Sequence, residues 1–346
     1  MSVAYSGVLW NPFKKKYDRA IIAGALLYLI LFSVVTVTTN PNFTPETLIL
    51  RAFGSLALIM LHIILVIGPL CRLNSKFLPL LYNRRHLGVS MFLAAFIHGG
   101  FATFQFHALS NTNPIRSIFT SNMDYTSLEN FPFQILGFLA LLILFAMAAT
   151  SHDFFLKNLG AKVWKSLHML VYLAYALIVM HVFLGAFQQE VFTSSTGFVV
   201  FGFVAVCGLH LASSLKERRF DRQRTKLAED GWQAVCKPEE IEEDRAKIFI
   251  VDKRRVAVFK YEGKLSAIDN VCKHQGGPLG EGKVVDGCVT CPWHGYQYLP
   301  GNGQSPPPFT EKIATYNLKL VDGTVYIDPN PNEEGTAVTP VYCEKH

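Results

Sequence analysis

Long apolar stretches alternate with short polar connections over the first 214 residues of the chain. A helix needs about 20 mostly apolar residues to cross the hydrocarbon layer of a bilayer. Residues that break helices, such as Asn40-Pro41-Asn42 and Ser194–Gly197, separate the stretches. The pattern predicts a six-helix all-α transmembrane bundle over residues 20–214, preceded by an N-terminal segment of residues 1–19. The predicted spans lie near residues 20–38, 49–70, 87–108, 133–150, 166–187 and 196–214.

The hydropathy pattern changes after residue 214. Residues 215–230 carry many charged side chains, which predicts a linker that begins as a continuation of the last helix. Residues 231–329 contain short β-branched and aromatic stretches between turn sequences, which is typical of a small all-β domain. The tail, residues 330–346, is expected to be disordered, and no internal repeat is evident. The predicted strands are Ala246–Val251, Arg255–Tyr261, Lys264–Asp269, Val289–Thr290, Thr315–Val321 and Thr324–Ile327.

Composition supports a membrane protein rather than one that binds nucleic acid. Apolar residues make up 50% of the 346 residues and charged residues only 17%, and the net charge of +6 does not come from a single basic patch. Basic residues instead flank the predicted spans at alternate connections. By the positive-inside rule, both termini and the β domain lie in the cytoplasm, and the chain is a multi-pass protein of the cell membrane in contact with lipid. The seven cysteines show no spacing typical of a disulfide framework.

Two short pairs in the β domain carry the strongest chemical signal. They are Cys272-Lys-His274 and Cys291-Pro-Trp-His294, and glycine-containing sequence follows each pair. Two cysteines and two histidines can ligate an iron–sulfur cluster, with thiolates on one iron and imidazoles on the other, or a structural zinc ion. Zinc fingers keep the cysteines in one pair and the histidines in another, whereas each loop here supplies one of each. We therefore favour a [2Fe–2S] cluster over zinc.

The same two loops carry a resemblance to a known family. Residues 231–329 resemble a Rieske [2Fe–2S] ferredoxin domain, since CKHQGGPL and CPWHGYQY match both of its cluster loops. The resemblance implies one cluster, with the two cysteines on the buried iron and the two histidines on the outer iron. Gly277 occupies the position at which respiratory members have a cysteine that bridges the two loops. Tyr296 occupies the position at which high-potential members have a serine that donates a hydrogen bond to the cluster. Fewer hydrogen bonds to sulfur imply a potential in the lower part of the Rieske range, roughly −150 mV upward.

Histidines within the predicted spans are the second chemical signal. Ionisable side chains are costly at membrane depth and are often functional. From the helical rise, His98 lies about 17 Å and His181 about 24 Å from the cytoplasmic edge, whereas His168 lies about 5 Å from it. Two neutral imidazoles on neighbouring helices can ligate one heme iron, each oriented by a hydrogen-bond acceptor. The alternative for each of these three histidines is that it is buried and makes only hydrogen bonds.

Six short sequences in this region are shared with a second known family: Arg84–Gly88, Phe96–His98, Leu159-Gly160, Leu167-His168, Val171–Leu173 and His181. Through them, residues 20–215 resemble the ferric reductase-like transmembrane domain of NADPH oxidases, ferric reductases and the heme-binding membrane subunit of the bacterial methionine sulfoxide reductase system. The resemblance implies a b-type heme held by His98 and His181, with His168 as a ligand nearer the cytoplasmic side. Oxidase-type members have a further histidine at the position of Arg84, so one heme is expected and a second is left open.

The two resemblances together predict a membrane-bound electron-transfer protein. The chain has no G-x-G-x-x-G sequence after a strand and no P-loop, so any flavin is expected on a partner such as a flavin reductase. Electrons would pass between a cytoplasmic donor, the cluster, the heme and a quinone or an acceptor at the outer face, and no residue of the chain is assigned a catalytic role. A heme-free membrane anchor for a ferredoxin that serves an oxygenase, and a ferric or cupric reductase, are the alternatives.

Overall fold

The computed structural model describes residues 12–81, 84–108, 111–151, 153–188, 194–222, 231–274, 276–293, 295–307 and 309–343. They form two compact units. The membrane unit comprises Pro12–Arg72 with Asn83–Ala212, and the β unit comprises Leu73–Tyr82 with Ser213–His346. Helices build the first unit and strands most of the second, so the predicted division into an all-α part and an all-β part is confirmed.

Eight α-helices are present in the described part of the chain. They are α1 (Pro12–Thr39), α2 (Pro45–Leu73), α3 (Arg84–His107), α4 (Pro114–Thr120), α5 (Phe133–Ala149), α6 (Asp153–Met169), α7 (Val171–Gln188) and α8 (Ser194–Asp221). Five helical segments among the described residues are long and apolar enough to cross a membrane: α1, α2, α3, α8 and the segment Val163–Gln188, which joins the end of α6 to α7. The chain is therefore a multi-pass membrane protein.

The span predicted at 133–150 is shorter than the other five. Helix α5 has 17 residues, so at 1.5 Å per residue it is about 26 Å long, less than the ~30 Å of a typical hydrocarbon layer. Pro132 precedes its first turn. At its other end, the Thr150 and Ser151 hydroxyls donate to the carbonyls of Ala146 and Met147 at 2.7 Å, a bond that competes with helix propagation. Because α5 is this short, its length does not identify it as a sixth span.

Two helices were not predicted from the sequence. Helix α4 lies between α3 and α5, where Asn113 caps its first turn through a side-chain oxygen that accepts from the N–H of Ile115 at 3.0 Å and of Arg116 at 3.4 Å. Helix α6 comes before α7 and ends at Met169, so that a single residue, Leu170, separates the two helices. Both helices are short or amphipathic, so neither gives the continuous apolar signal that identifies a span.

The β unit contains three small antiparallel sheets. Their orders are β1-β10-β9, β11-β4-β3-β2 with β8 also paired to β4, and β5-β6-β7. Four two-residue turns join neighbouring strands, and both residues of each turn have a positive φ. Hairpins need such turns to match the right-handed twist of their strands. The hairpins expected at 261–264 and 321–324 are confirmed. The strands are β1 (Gln233–Cys236), β2 (Ala246–Val251), β3 (Arg254–Tyr261), β4 (Lys264–Asp269), β5 (Lys283–Val285), β6 (Cys288–Thr290), β7 (Gln297–Tyr298), β8 (Thr315–Tyr316), β9 (Leu318–Val321), β10 (Thr324–Ile327) and β11 (Val341–Tyr342).

The tail does not show the disorder expected for residues 330–346. Val341 and Tyr342 form β11, which pairs with Leu265 and Lys264 of β4, and Cys343 donates to the carbonyl of Gly263 at 2.9 Å. The tail is held through backbone hydrogen bonds with few buried side chains, so its sequence lacks the apolar pattern of a strand. Residues 344–346 lie outside the described part.

The charged segment after the last predicted span begins as helix. Helix α8 continues to Asp221, and Arg255 of β3 donates to the carboxylates of Glu217 and Asp221 within the β unit. The guanidinium also lies 5.6 Å from the centre of the Phe220 ring. Residues 223–230 of the expected linker lie outside the described part.

Candidate functional site

Two loops with matching backbone hydrogen bonds hold the predicted cluster ligands. In each loop the cysteine N–H donates to the carbonyl five residues later, at 2.9 Å for Cys272 and 2.8 Å for Cys291. The glycine four residues after each cysteine, Gly276 or Gly295, donates back to the cysteine carbonyl and has a φ of 72° or 73°. Glycine adopts this conformation readily, whereas other residues are strained there. The glycine after each pair therefore closes a tight loop.

Both cysteines lie in the core of the β unit. Cys272 is 1% exposed and Cys291 is 2% exposed. A Cβ atom added to Gly277 in the first loop would lie 2.8 Å from Sγ of Cys291 in the second. The two loops therefore pack directly on each other, and their close approach requires glycine at position 277.

The first predicted histidine ligand is half-buried beside the cysteines. His274 stacks on Tyr296, with ring centres 4.9 Å apart and planes 15° apart. The Tyr296 hydroxyl donates to the Glu311 carboxylate, and burial followed by this bond raises the pKa of Tyr296. Tyr296 thus orients the His274 ring while its hydroxyl points to a carboxylate.

The second predicted histidine ligand, His294, lies outside the described residues. Among those described, no three His, Cys, Asp or Glu side chains converge to hold a single metal ion. The buried thiols of Cys272 and Cys291 and the less buried imidazole of His274 fit a cluster that has one iron inside the domain and one near its surface.

Sequence reasoning missed a hydroxyl beside the first thiol. Tyr298 is fully buried, and its oxygen lies 3.6 Å from Sγ of Cys272. The same oxygen accepts a hydrogen bond from the N–H of Lys273 at 3.0 Å, so its own proton is available for the sulfur. Burial, and then the neighbouring Cys272, raise the pKa of Tyr298, which keeps the hydroxyl protonated. The signal was the second tyrosine of CPWHGYQY.

The structure brings His98 and His181 together in the membrane unit. Nδ1 of His98 lies 2.9 Å from the carbonyl of Leu50, and Nδ1 of His181 lies 2.9 Å from the carbonyl of Phe133. A carbonyl only accepts, so each ring carries its proton on Nδ1 and its lone pair on Nε2. This is the tautomer that a metal-ligating imidazole needs when its other nitrogen is held by a backbone carbonyl.

The separation of these two rings fits a shared metal. Their centres are 6.3 Å apart and their planes are 79° apart. Two imidazoles that bind one metal ion from opposite sides, each through a nitrogen about 2 Å away, hold their ring centres roughly 6 Å apart. By this distance, His98 and His181 could hold one metal ion between them.

His168 has different surroundings. Its ring stacks on Trp164 with centres 3.6 Å apart, and its Nδ1 bonds the Trp164 carbonyl of the same helix at 2.9 Å. Its Nε2 is buried and has no hydrogen-bond partner within the described part of the chain. The nitrogen has the lone pair that a ligand needs, but no second histidine faces this ring among the described ring contacts.

Two further histidines are buried in the membrane unit. His107 bonds the Ser117 hydroxyl at 2.9 Å and the Gln134 side chain at 3.1 Å, which accounts for both ring nitrogens. The edge of His62 meets the aromatic rings of Tyr175 and Phe198 at centre distances of 5.5 Å and 5.6 Å. Neither residue faces a second histidine in the described structure, so neither resembles the His98–His181 pair.

The histidine pair also reveals a local correspondence that sequence analysis missed. His181 follows His98 by 83 residues, and the same interval separates their two carbonyl acceptors. Residues 54–58 read GSLAL, and residues 137–141 read GFLAL. These two short sequences and their matching hydrogen bonds are a local correspondence between α2 and α5.

Two families match the chain. Residues 231–317 match the Rieske [2Fe-2S] domain, and residues 53–179 match the ferric reductase like transmembrane component. Both resemblances expected from the sequence are confirmed. The first match contains both cluster loops, and the second contains Gly54, His98 and His168.

Three relatives illustrate the two halves. The anthranilate 1,2-dioxygenase ferredoxin subunit of Burkholderia cepacia is 32% identical over 98 residues, covering 28% of this chain and 91% of the relative. The ferredoxin component of an alkene monooxygenase system from Xanthobacter autotrophicus is 31% identical over 105 residues, covering 30% and 86%. The protein-methionine-sulfoxide reductase heme-binding subunit MsrQ of Herminiimonas arsenicoxydans is 34% identical over 157 residues, covering 45% and 67%. A ferredoxin-like domain and a ferric reductase-like membrane domain in one chain imply electron transfer at a membrane.

Proposed function

We propose that this chain, which belongs to both the Rieske [2Fe–2S] and the ferric reductase-like transmembrane families, passes electrons between a cytoplasmic donor and a quinone or an acceptor at the outer face. One [2Fe–2S] cluster and one b-type heme are its resident groups. The observation that carries the proposal is the pair His98 and His181, two carbonyl-bonded imidazoles 6.3 Å apart in a chain that also has both Rieske loops. When bound, the two groups supply one-electron redox chemistry.

The chain's own residues hold, orient and seclude these groups. Cys272 and Cys291 would hold the inner iron in a water-excluding core, and His274 and His294 would hold the outer iron. The half-buried edge of His274 then offers a route for electrons to or from a soluble partner. The carbonyls of Leu50 and Phe133 would hold the proton of each membrane histidine on Nδ1, which leaves Nε2 available for the heme iron.

The partners follow from the chemistry and from charge. Basic residues at both ends of the membrane unit favour a cytoplasmic location for the β unit in the cell membrane. The donor is therefore a cytoplasmic protein, and a flavin reductase suits the role because this chain has no nucleotide-binding sequence. The acceptor is a quinone in the lipid or a molecule at the outer face.

Removing either histidine of the pair tests the proposal. We expect purified protein to show a reduced b-type α-band and to contain iron rather than zinc. His98→Ala and His181→Ala should each abolish the band, because one axial imidazole is lost. His210→Ala is the control, since Nδ1 of His210 bonds the carbonyl of Val206 in its own helix. A full heme spectrum in either variant of the pair would contradict the assignment.

A second function is favoured by the names of two relatives. Both ferredoxin relatives belong to oxygenase systems, so the chain could be a heme-free membrane anchor for a ferredoxin that serves an oxygenase. In that case the purified protein has no α-band, while its cluster is unchanged. The same optical spectrum thus separates the two functions.

A further inference from the structure

Each histidine of the membrane pair packs against a glycine on a neighbouring helix. A Cβ atom added to Gly54 of α2 would lie 2.7 Å from Nδ1 of His98 on α3. A Cβ atom added to Gly137 of α5 would lie 2.8 Å from both Nδ1 and Cε1 of His181 on α7. Both distances are well inside van der Waals contact, so no residue with a side chain fits at position 54 or 137 without moving the ring.

The accepting carbonyl belongs to the same helical turn as the glycine. Leu50 lies four residues before Gly54, and Phe133 lies four residues before Gly137. Each ring therefore packs against the backbone of a glycine. It is also hydrogen-bonded to the carbonyl one helical turn before that glycine. Two contacts to a rigid helix restrict both the position of a ring and its rotation.

The same construction occurs twice at the same spacing. Each histidine lies 44 residues after its glycine and 48 residues after its acceptor. A third helix, α8, carries a similar sequence at 202–206, GFVAV, and its Gly202 lies against His62, with an added Cβ 2.3 Å from Nε2. The third contact involves a histidine with no facing histidine among the described rings, so it serves as an internal comparison.

We propose that Gly54 and Gly137 are positioning residues that set the planes of the two axial histidines nearly perpendicular, at the 79° seen between His98 and His181. This inference rests on the proposed function, because it assigns a role toward the heme. The spectroscopic consequence is specific. The EPR spectrum of a low-spin ferric heme depends on the angle between its axial imidazole planes, and perpendicular planes give a strongly anisotropic signal.

Alanine substitution of each glycine tests the proposal. In Gly54→Ala and Gly137→Ala the added methyl group displaces the facing ring, so the largest g value should fall as the two planes rotate. Overpacking one such contact should also weaken heme retention about tenfold. The readouts are the EPR spectrum and the heme content per protein, neither of which requires a known donor or acceptor.

Two matched controls make the same chemical change elsewhere. Gly100→Ala alters α3 two residues after His98, where an added Cβ meets no atom within 4 Å. Gly202→Ala displaces His62, a ring not assigned to heme. Both variants should keep the wild-type EPR signal and heme content, and circular dichroism checks that every variant retains its helices.

The outcomes separate this inference from the proposed function. If His98→Ala and His181→Ala keep heme, the proposed function fails. If those variants lose heme but both glycine variants keep the wild-type signal, only the positioning role is overturned. A change of the EPR signal in Gly202→Ala as large as in Gly54→Ala would also overturn the positioning role. Loss of helical structure in both Gly54→Ala and Gly137→Ala would do the same. In either case general helix packing would explain the need for glycine.

Discussion

At the scale of single residues, Tyr298 changes the expected redox behaviour of the cluster. The sequence suggested few hydrogen bonds to sulfur because Tyr296 replaces a serine, and the Tyr296 hydroxyl indeed turns to Glu311. Tyr298, however, places a protonated hydroxyl 3.6 Å from Sγ of Cys272. A donor to a ligand sulfur stabilises the more negative, reduced state, so the potential should lie above the value expected without it.

Removing that hydroxyl should lower the midpoint potential of the cluster. Tyr298→Phe keeps the buried ring and removes one hydrogen bond worth about 1 kcal/mol, which corresponds to roughly 40 mV for a one-electron couple. A potentiometric titration followed by EPR measures the change. Tyr296→Phe is the matched control, because its hydroxyl bonds a carboxylate, and its shift should be smaller. An unchanged potential in Tyr298→Phe would show that this hydroxyl does not donate to the sulfur.

The sequence suggests which residues are candidate ligands, but it does not suggest which residues orient them. Pairs of cysteine and histidine at short spacing directly indicate ligands of a metal or a cluster, and the structure contains a loop at each of the two pairs. The contact between Tyr298 and Cys272 spans 26 residues and exists only once β7 packs beside the first loop. The carbonyl bond of His98 spans 48 residues and depends on how α2 meets α3. Contacts between distant segments leave no local pattern.

At the scale of elements, Arg255 of β3 contacts the end of the last helix. Arg255 of β3 donates to Glu217 and Asp221 in the final two turns of α8 and lies over Phe220. Its side chain is 28% exposed, so solvent screens the pairs only in part. A partly buried guanidinium that donates to two carboxylates holds the end of the helix more firmly than an isolated surface pair would.

Loss of this side chain should loosen the end of α8. In Arg255→Ala we expect the backbone amides of residues 217–221 to exchange with deuterium several-fold faster, since the lost contacts are worth about 1 kcal/mol. Hydrogen–deuterium exchange with mass spectrometry measures the rate. Arg218→Ala removes an exposed cation from the same turn and should leave the rate unchanged. If these amides exchange equally slowly in the wild type and in Arg255→Ala, then Arg255 does not stabilise the end of α8.

Element boundaries were predicted less well than element types. The apolar stretch at 166–187 is divided in the structure, because α6 ends at Met169 and α7 begins at Val171. Short strands such as β5, β7 and β11 have two or three residues, too few to show a period of two. The tail strand β11 depends on pairing with β4, so only the folded sheet reveals it.

At the scale of the whole molecule, the two-part organisation follows from sequence because each part has its own signal. Long apolar stretches predict membrane helices, and two metal-ligand loops among turn sequences predict the β unit. The local correspondence between 54–58 and 137–141 escaped notice because most of its positions are interchangeable aliphatic residues. Only the packing of His98 and His181 shows which of those positions matter.

The number of crossings determines on which side of the membrane the β unit lies, and α5 decides that number. With α5 crossing, six spans place both ends of the membrane unit on one side; without it, five spans place them on opposite sides. Basic residues lie at both ends, Lys14–Lys16 in the first turns of α1 and Lys216 to Arg219 at the end of α8, which favours one cytoplasmic side. The 17 residues of α5 would then be accommodated by local thinning of the bilayer or by flanking side chains that reach the interface.

Protease accessibility in oriented membranes tests this topology. With six crossings, an added protease should digest the β unit in inverted vesicles and leave it intact in whole cells. A cleavage site inserted in the connection between α4 and α5 should show the opposite pattern and serves as the control for sealed membranes. Digestion of the β unit in whole cells would mean that α5 does not cross. The cluster would then face the outer side, and the donor could not be a cytoplasmic protein.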